Sequence, residues 1–268
     1  MTRPTAGSLF ALLALSVALF SGNVATATLV FPFVVDFEAE ENGTPLVNGQ
    51  AIDDEFGTVL TVTSDDATED HNGPAIFDTD NPGPNVGGGD ADLLVNLGNA
   101  LILQNSELPT QTVPGIFDTP DDEQNANDLG FLKFNFTFEV ELLAIDLIDI
   151  NGGVTALVVL TDANGLTRTY DVPQKWTNEV TQAPAGFDTL LLTTLADQDG
   201  EGSGGVATAS EDVGFDSTSV VSLQIDFSGS AAVDNIVIGN IDPDFFIPEP
   251  STAVLVSLAS LGLLRRKR

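Results

Sequence analysis

Carboxylates are the chemically versatile side chains that this sequence supplies in quantity. The chain of 268 residues holds 40 acidic residues and 8 basic ones, and all of the acids lie between Asp36 and Glu249. Calcium takes about six to eight oxygen ligands from carboxylates and backbone carbonyls, and aspartates in turns supply both kinds. The composition therefore favours a structural Ca²⁺ site over other chemistry.

Three groups of acids are suitably placed, each at a strand end or beside a turn rich in proline and glycine. Asp36 and Glu38 belong to Asp-Phe-Glu on the first predicted strand, and Asp234 belongs to Val-Asp-Asn-Ile on the last. The third group brackets a Pro/Gly loop and consists of Asp78, Asp80, Asp90 and Asp92. We predict these seven residues as calcium ligands. The alternative is that they are simply solvated in turns.

Catalytic side chains of other kinds are scarce. His71 is the only histidine, it lies in a polar turn, and the chain contains no cysteine. A zinc site built from several histidines or cysteines is therefore excluded, and a Ser-His-Asp or Cys-His arrangement would depend on His71 alone. A glycoside hydrolase needs only two suitably separated carboxylates, so that class stays open as an alternative. We predict that the protein is not an enzyme.

Sugar binding would require an aromatic face for stacking, with polar groups nearby. Trp176 and Tyr170 are the single tryptophan and the single tyrosine of the chain. Both lie at or after a predicted hairpin. We predict them as candidate contacts to a glycan, with a place in the core as the alternative.

The charge limits the possible partners. Only Lys133, Arg168 and Lys175 are basic between the first and the last acidic residue. So acidic a chain repels nucleic acid and anionic lipid, and we predict no nucleic-acid partner. The 17 phenylalanines and many aliphatic residues nevertheless supply enough apolar surface for a folded core. With no disulfide, stability must come from that core and from any bound metal.

The elements that must position the candidate residues are β-strands. Residues 131–138 alternate apolar and polar side chains, and residues 221–228 do the same, which is typical of half-buried strands. Residues 156–161 and 166–171 flank Asp-Ala-Asn-Gly165 and predict a hairpin in which Gly165 takes a positive φ. Further predicted strands are 29–37, 58–63, 100–104, 142–150, 189–194 and 232–238. Residues 65–92 and 197–216 are predicted to be loops.

About ten short strands without an amphipathic helix predict an all-β fold, a two-layer antiparallel β-sandwich. This sandwich domain is expected to cover residues 28–244. Before it, Arg3, an apolar run from Leu9 to Phe20 and Ala25-Thr-Ala27 are typical of a signal peptide over residues 1–27. The apolar run is shorter than the roughly 20 residues that span a bilayer.

The other flank, residues 245–268, combines a short motif, an apolar run and a basic tail. The run of residues 251–264 is marginal for a membrane-spanning helix, and the basic tail should hold its end on the cytoplasmic side. The residues that carry this pattern are Pro248, Glu249 and Pro250, followed by Arg265, Arg266, Lys267 and Arg268. An ordinary C-terminal membrane anchor is the alternative.

The order of motif, apolar helix and basic tail resembles the PEP-CTERM sorting signal. The resemblance implies processing by an exosortase, a membrane protease and transpeptidase of Gram-negative bacteria that make extracellular polysaccharide. It also implies export to the cell surface or extracellular matrix, with the C-terminal helix in the membrane before processing.

The early Asp-Phe-Glu strand and the late Val-Asp-Asn-Ile strand resemble the first and last strands of galactose-binding-like and carbohydrate-binding jelly rolls. In those folds the terminal strands are neighbours, and an acid from each often binds a structural calcium. The resemblance implies Glu38 and Asp234 as ligands, with Asp36 beside them. We therefore expect a non-catalytic, calcium-stabilised surface or matrix protein. The alternatives are a carbohydrate-binding module for exopolysaccharide and a glycan hydrolase.

Overall fold

The computed structural model describes residues 32–66, 73–80, 93–105, 107–122, 130–177, 186–202 and 204–241. All structural features given below belong to these residues. They form twelve β-strands and no helix, so the expected all-β class is confirmed. No helix in the described part of the chain is long and apolar enough to cross a membrane.

The strand bounds, in chain order, are as follows. They are β1 (Phe33–Val35), β2 (Leu60–Asp66), β3 (Pro74–Asp78), β4 (Asn99–Leu103), β5 (Gly130–Ile148), β6 (Ala156–Asp162), β7 (Thr167–Val172), β8 (Phe187–Leu191), β9 (Gln198–Asp199), β10 (Val206–Glu211), β11 (Val220–Phe227) and β12 (Ala232–Ile241).

Antiparallel pairing joins all twelve strands. The main path runs β3-β4-β12-β5-β11-β6-β7-β10-β9, while β1 pairs with β12, and β2 and β8 pair with β5. All of these strands belong to the compact unit Val30–Asp242. The last described strand, β12, thus lies inside the sheet, as the third strand of the path, between β4 and β5.

The longest strand, β5, changes neighbours along its length. Its first part, from Gly130 to Val140, pairs with β11 and β2. Its second part, from Val140 to Ile148, pairs with β12 and β8. On β11, Ser222 lies opposite Asn135 of β5, whereas Val220, two residues earlier, lies opposite Val140. The register therefore shifts at this point, and the extra residues belong to β5. Extra residues on one strand bend it, so β5 changes course where its neighbours change.

The predicted alternation is largely confirmed. In β5, Leu132, Phe134 and Phe136 are buried, whereas Phe138 lies in the irregular stretch and is only half-buried. Leu223 and Ile225 are buried in β11, as the pattern predicts. The hairpin between β6 and β7 is also present, with Gly165 at φ 80°. The strands predicted at 131–138 and 142–150 are, however, one continuous element.

The two predicted loops each contain strands, and these predictions were wrong. Residues 65–92 include β3, which pairs with β4 and has four buried residues out of five. Residues 197–216 include β9 and β10, and β10 pairs with β7. The many turn-forming residues around these strands hid them, because β3 has no polar alternation and β10 is largely exposed.

The second part of β5 is buried on both faces. On one face, Ile148 belongs to a small core with Ala232 of β12 and Ile102 of β4. Phe117 and Leu93, from the segments between strands, pack against the same core. Asp234 of β12 and Asp146 of β5 lie opposite each other, two residues along from the core residues Ala232 and Ile148.

Candidate functional site

The first strand and the last strand are neighbours, as the resemblance implied. Val35 of β1 lies opposite Ile236 of β12, so Asp36, the next residue, reaches the start of β12. Phe37 is fully buried at φ 54° and packs edge-on against Phe56, with ring centroids 5.9 Å apart. Because this ring points into the core, the flanking Asp36 and Glu38 remain exposed.

Asp234 is the centre of the candidate site. Its relative exposure is 1 %, and it lies directly opposite Asp146 of β5, which is 8 % exposed. The Asn235 side-chain amide donates to Asp146 Oδ2 at 2.9 Å and to Asp234 Oδ2 at 3.1 Å. On the other side of Asp146, the Thr189 hydroxyl donates to Oδ1 at 2.5 Å. Two buried carboxylates are therefore held side by side.

The electrostatics of Asp234 are unusual. Burial raises the pKa of Asp234 to about 8, and the negative charges of Asp146, Asp36 and Glu38 push it in the same direction. Only the Asn235 backbone N–H, which donates to Oδ1 at 2.7 Å, works against this shift. Three acids from neighbouring strand regions thus act on Asp234, which ionises at neutral pH only at a free-energy cost.

Asp80, from the third predicted group of acids, is linked to the region of Glu38 by the neighbouring residues Gly98 and Asn99. The Asn99 N–H donates to Glu38 Oε1 at 2.9 Å, and the Gly98 N–H donates to Asp80 Oδ1 at 3.4 Å. Gly98 has φ +87°, and a Cβ there would overlap the Glu38 carboxylate. The structure therefore brings Asp80 towards Glu38, although the two residues come from separate predicted groups.

The remaining predicted calcium ligands, Asp78, Asp90 and Asp92, are not among the acids that act on Asp234 in the described residues. Asp78 pairs with Asn99 across β3 and β4, and its N–H donates to the Asn48 side chain at 2.9 Å. Asp90 and Asp92 lie outside the described residues. The sorting residues Pro248, Glu249, Pro250, Arg265, Arg266, Lys267 and Arg268 also lie outside them.

The acids around Asp234 fit a cation by charge and by donor type. They offer hard oxygen ligands, and buried negative charges gain most from a cation. Within the described ranges, the one group of three acids whose ligand oxygens all lie within 4.8 Å is Asp53, Asp54 and Glu55. A cation would therefore have to draw the exposed Asp36 and Glu38 towards Asp234 and Asp146.

Sequence reasoning missed Asp146 and Thr189 as members of this site. One signal was available for Asp146, since it is an acid inside the apolar run from Leu142 to Ile150. A charge in such a run is costly to bury and demands a partner. No comparable signal marks Thr189, because its role depends on the pairing of β8 with β5.

Both predicted glycan contacts are buried. Trp176 is 1 % exposed and donates its indole N–H to the Gln198 carbonyl at 3.3 Å. Tyr170 is fully buried and donates its hydroxyl to the Leu192 carbonyl at 2.7 Å. Arg168, which is paired with Glu211 at 2.7 Å, donates to the same Leu192 carbonyl. In this structure neither ring offers a face to a sugar, so both residues anchor the segments around β8 and β9.

The Asp53-Asp54-Glu55 cluster is an exposed turn rather than an enclosed site. Asp54 donates its N–H to Asp53 Oδ1 at 2.6 Å, and Asp53 donates its N–H to Glu55 Oε2 at 2.7 Å. The hydrogen bond with Asp53 and the charge of Asp53 raise the pKa of Asp54. These contacts explain the close approach of the three carboxylates without any ligand.

Comparison of the chain with protein-family models, with curated proteins and with solved structures finds no match.

Proposed function

We propose that this chain is a non-catalytic, exported surface or matrix protein whose β-domain is stabilised by calcium. The observation that carries the calcium proposal is the convergence of Asp36, Glu38 and Asp146 on the buried Asp234. The carboxylate of Asp234 is desolvated and repelled by its neighbours. A divalent cation would replace this repulsion by attraction, and binding to the folded chain alone would stabilise the fold.

The burial of Asp146 and Asp234 favours an ion over a larger ligand. A pair of carboxylates of which one has a raised pKa is also found in glycosidases, where the pair faces a substrate cleft. Here the two residues are 8 % and 1 % exposed, which leaves little room for a sugar ring between them. The carbohydrate-binding alternative gains no support from Trp176 and Tyr170, because both are buried.

The sandwich is part of the same proposal. The two parts of β5 have different strand neighbours, β2 and β11 at one end and β8 and β12 at the other. A strand that bends and contributes to two sheets is typical of β-sandwiches. We therefore expect two antiparallel layers that share β5, with the calcium site where β1 and β12 meet the second part of β5.

Export and sorting rest on the two flanks of the sequence. The proposed signal peptide is residues 1–27, and the proposed PEP-CTERM signal is residues 245–268, with an exosortase-type enzyme as its partner. Changing Glu249 to Ala should leave the chain in the membrane fraction of an exosortase-containing bacterium. If the unchanged chain stays there equally, or if the variant is released equally well, the sorting proposal fails. Extracellular polysaccharide remains a proposed partner at the cell surface.

Thermal unfolding of the full-length chain tests the calcium proposal. The protein is stripped with a chelator and heated with and without millimolar calcium, and magnesium serves as the competing ion. Occupancy at a thousand times the dissociation constant adds about 4 kcal/mol, which raises the unfolding midpoint of a domain of this size by roughly ten degrees. The magnesium midpoint should stay near that of the stripped protein.

Two matched variants locate the effect. Asp234→Asn should abolish the calcium shift, because it removes the charge at the centre of the site. Asp53→Asn removes the same charge from the exposed acidic turn and should keep the shift. A calcium shift that is lost only in Asp53→Asn would move the site to that turn. No shift in the unchanged chain would overturn the calcium proposal.

A further inference from the structure

The backbone of β12 is irregular directly beside Asp234. Asp234 lies opposite Asp146 of β5, and Val237 lies opposite Ala144, so β12 advances by three residues where β5 advances by two. One extra residue on one strand of an antiparallel pair is a β-bulge, which bends the strand and changes the direction of a side chain. Asn235 lies in this bulge at φ 49°. The bulge therefore sets the directions in which the side chains of Asp234 and Asn235 point.

The residue type at position 235 suits this backbone conformation. The left-handed region is adopted readily by glycine and, among other residues, mainly by asparagine and aspartate. Glycine would meet the backbone requirement alone, whereas aspartate would add a further negative charge beside two carboxylates. Asparagine combines the left-handed backbone with a neutral hydrogen-bond donor. Asn235 thus fits a position that needs a donor next to the acid pair.

Asn235 supplies most of the hydrogen bonds that the described residues make to this pair. Its backbone N–H donates to Asp234 Oδ1 at 2.7 Å, and its side-chain amide donates to Oδ2 of the same residue at 3.1 Å. The amide also donates to Asp146 Oδ2 at 2.9 Å. The remaining oxygen, Asp146 Oδ1, accepts from the Thr189 hydroxyl. Each of the four carboxylate oxygens thus accepts one hydrogen bond, and Asn235 donates three of them.

The side-chain nitrogen of Asn235 lies where a cation shared by both acids would lie. It is 2.9 Å from one oxygen of Asp146 and 3.1 Å from one oxygen of Asp234. Calcium binds carboxylate oxygens at about 2.3 to 2.6 Å, so an ion between the same two oxygens needs nearly the same space. The amide hydrogens also carry partial positive charge and repel a cation. The amide and a bridging cation therefore exclude each other.

We propose that the Asn235 amide is an internal competitor of calcium at this site, and that it must turn away before the ion can bridge Asp146 and Asp234. The inference rests on the calcium site proposed above. Asn235 is only half-buried, so its side chain can turn towards solvent while the backbone bulge stays in place. Competition weakens the binding, and weak calcium sites, with dissociation constants of about 10⁻⁴ to 10⁻³ M, are typical of extracellular modules. The site should therefore fill only at the high calcium concentrations found outside cells.

The test compares Asn235→Gly with Asn96→Gly in the full-length chain. Asn96 is an exposed asparagine at φ 60° and serves as the control for the same change on a left-handed backbone. Thermal unfolding is measured in chelator and in saturating calcium at about pH 9, above the pKa of about 8 to which burial raises Asp234. In chelator the midpoint of Asn235→Gly should fall by roughly five degrees, because hydrogen bonds to charged groups are lost.

In saturating calcium, Asn235→Gly should unfold at the same midpoint as the unchanged chain, because the ion has already displaced the amide. The calcium-induced rise should therefore be larger in Asn235→Gly by the roughly five degrees lost in chelator. Asn96→Gly should show the same rise as the unchanged chain. An equal or smaller rise in Asn235→Gly would overturn the inference, while a rise in the unchanged chain would still support the calcium site itself.

The absence of a rise in the unchanged chain would instead refute the calcium site, and the role of competitor with it. Far-ultraviolet circular dichroism shows whether Asn235→Gly is folded in chelator. If it is unfolded there, calcium should restore the fold, because the ion replaces the bonds of the amide. Asn235→Asp is the second variant, since aspartate suits a positive φ and carries no amide donor, and its calcium-induced rise should also exceed that of the unchanged chain. A variant that calcium does not restore, or a smaller rise in Asn235→Asp, would overturn the inference.

Discussion

Asp146 and Asp234 lie directly opposite each other on neighbouring strands, and one amide group, that of Asn235, donates to both carboxylates. The amide satisfies one oxygen of each acid but adds no positive charge. Once Asp234 ionises, the pair in the metal-free chain is therefore hydrogen-bonded and still repulsive.

Asp146→Asn should stabilise the metal-free chain and abolish its response to calcium. The change removes the charge nearest to Asp234, while an asparagine oxygen can still accept from Asn235. Above pH 8, where Asp234 is ionised in the folded chain, we expect a gain of the order of 1 kcal/mol, because one unit in the pKa of Asp234 corresponds to about 1.4 kcal/mol. The urea unfolding is therefore carried out at about pH 9. Urea unfolding with chelator and then with calcium measures both effects. A loss of stability without metal would contradict the proposed repulsion.

The metal-free chain should lose stability as the pH rises from about 4 to about 8. The pKa of Asp234 is raised to about 8 from an ordinary value of 3.8, so in this window the folded chain holds a proton that the unfolded chain has released. The free energy of unfolding therefore falls with rising pH. Urea unfolding in chelator at several pH values measures the slope, and Asp234→Asn should flatten it. Equal slopes in the two proteins would refute this assignment.

Gly98→Ala should lower the free energy of unfolding more than Gly43→Ala does, and it alone should reduce the calcium shift. Gly98 and Gly43 have nearly the same φ, +87° and +86°, but only Gly98 has the Glu38 carboxylate where a Cβ would lie. Gly43→Ala should cost about 1 to 2 kcal/mol from backbone strain alone. Gly98→Ala should cost more and should reduce the calcium shift, because Glu38 is displaced. Equal costs and an intact calcium shift would exclude a role for Glu38.

Asp162→Asn should destabilise the chain at neutral pH and at pH 4, but less at more acidic pH. Burial opposes ionisation of Asp162, yet backbone N–H donors from Asp216, Leu166 and Asn164 lower its pKa below the ordinary value. Its stabilising effect is present above pH 3.8 and is lost as the pH falls through the lowered pKa. Acid unfolding monitored by tryptophan fluorescence measures this, with the exposed Asp171→Asn as control. Identical acid midpoints for both variants would contradict the prediction.

Much of the fold could be predicted because its strands alternate clearly. Leu132, Phe134, Leu223 and Ile225 are buried as their spacing predicts. β3 was missed because a strand that is buried along nearly its whole length has no alternation to detect. The bend of β5 was missed because it depends on the different partners of its two parts, which no local pattern encodes.

The candidate site was predictable only in part, and for a physical reason. Asp36, Glu38 and Asp234 were found from the terminal strands, whose proximity the resemblance implied. Asp146 and Thr189 join them through the long-range register of β5 with β12 and β8. The sequence did not show that Trp176 and Tyr170 are buried, because an aromatic ring beside a hairpin has the same sequence signal whether it is exposed or buried.

The position of β12 has a consequence for how this domain forms. The last described strand pairs with β1, β4 and β5, and β1 has no other strand partner among the described residues. Contacts so distant in sequence slow folding, because long loops must close before they are made. During synthesis or translocation from the N-terminus, the chain cannot complete its sheet until Ala232–Ile241 has emerged. We therefore expect the domain to stay open until late and then to close in a single cooperative step.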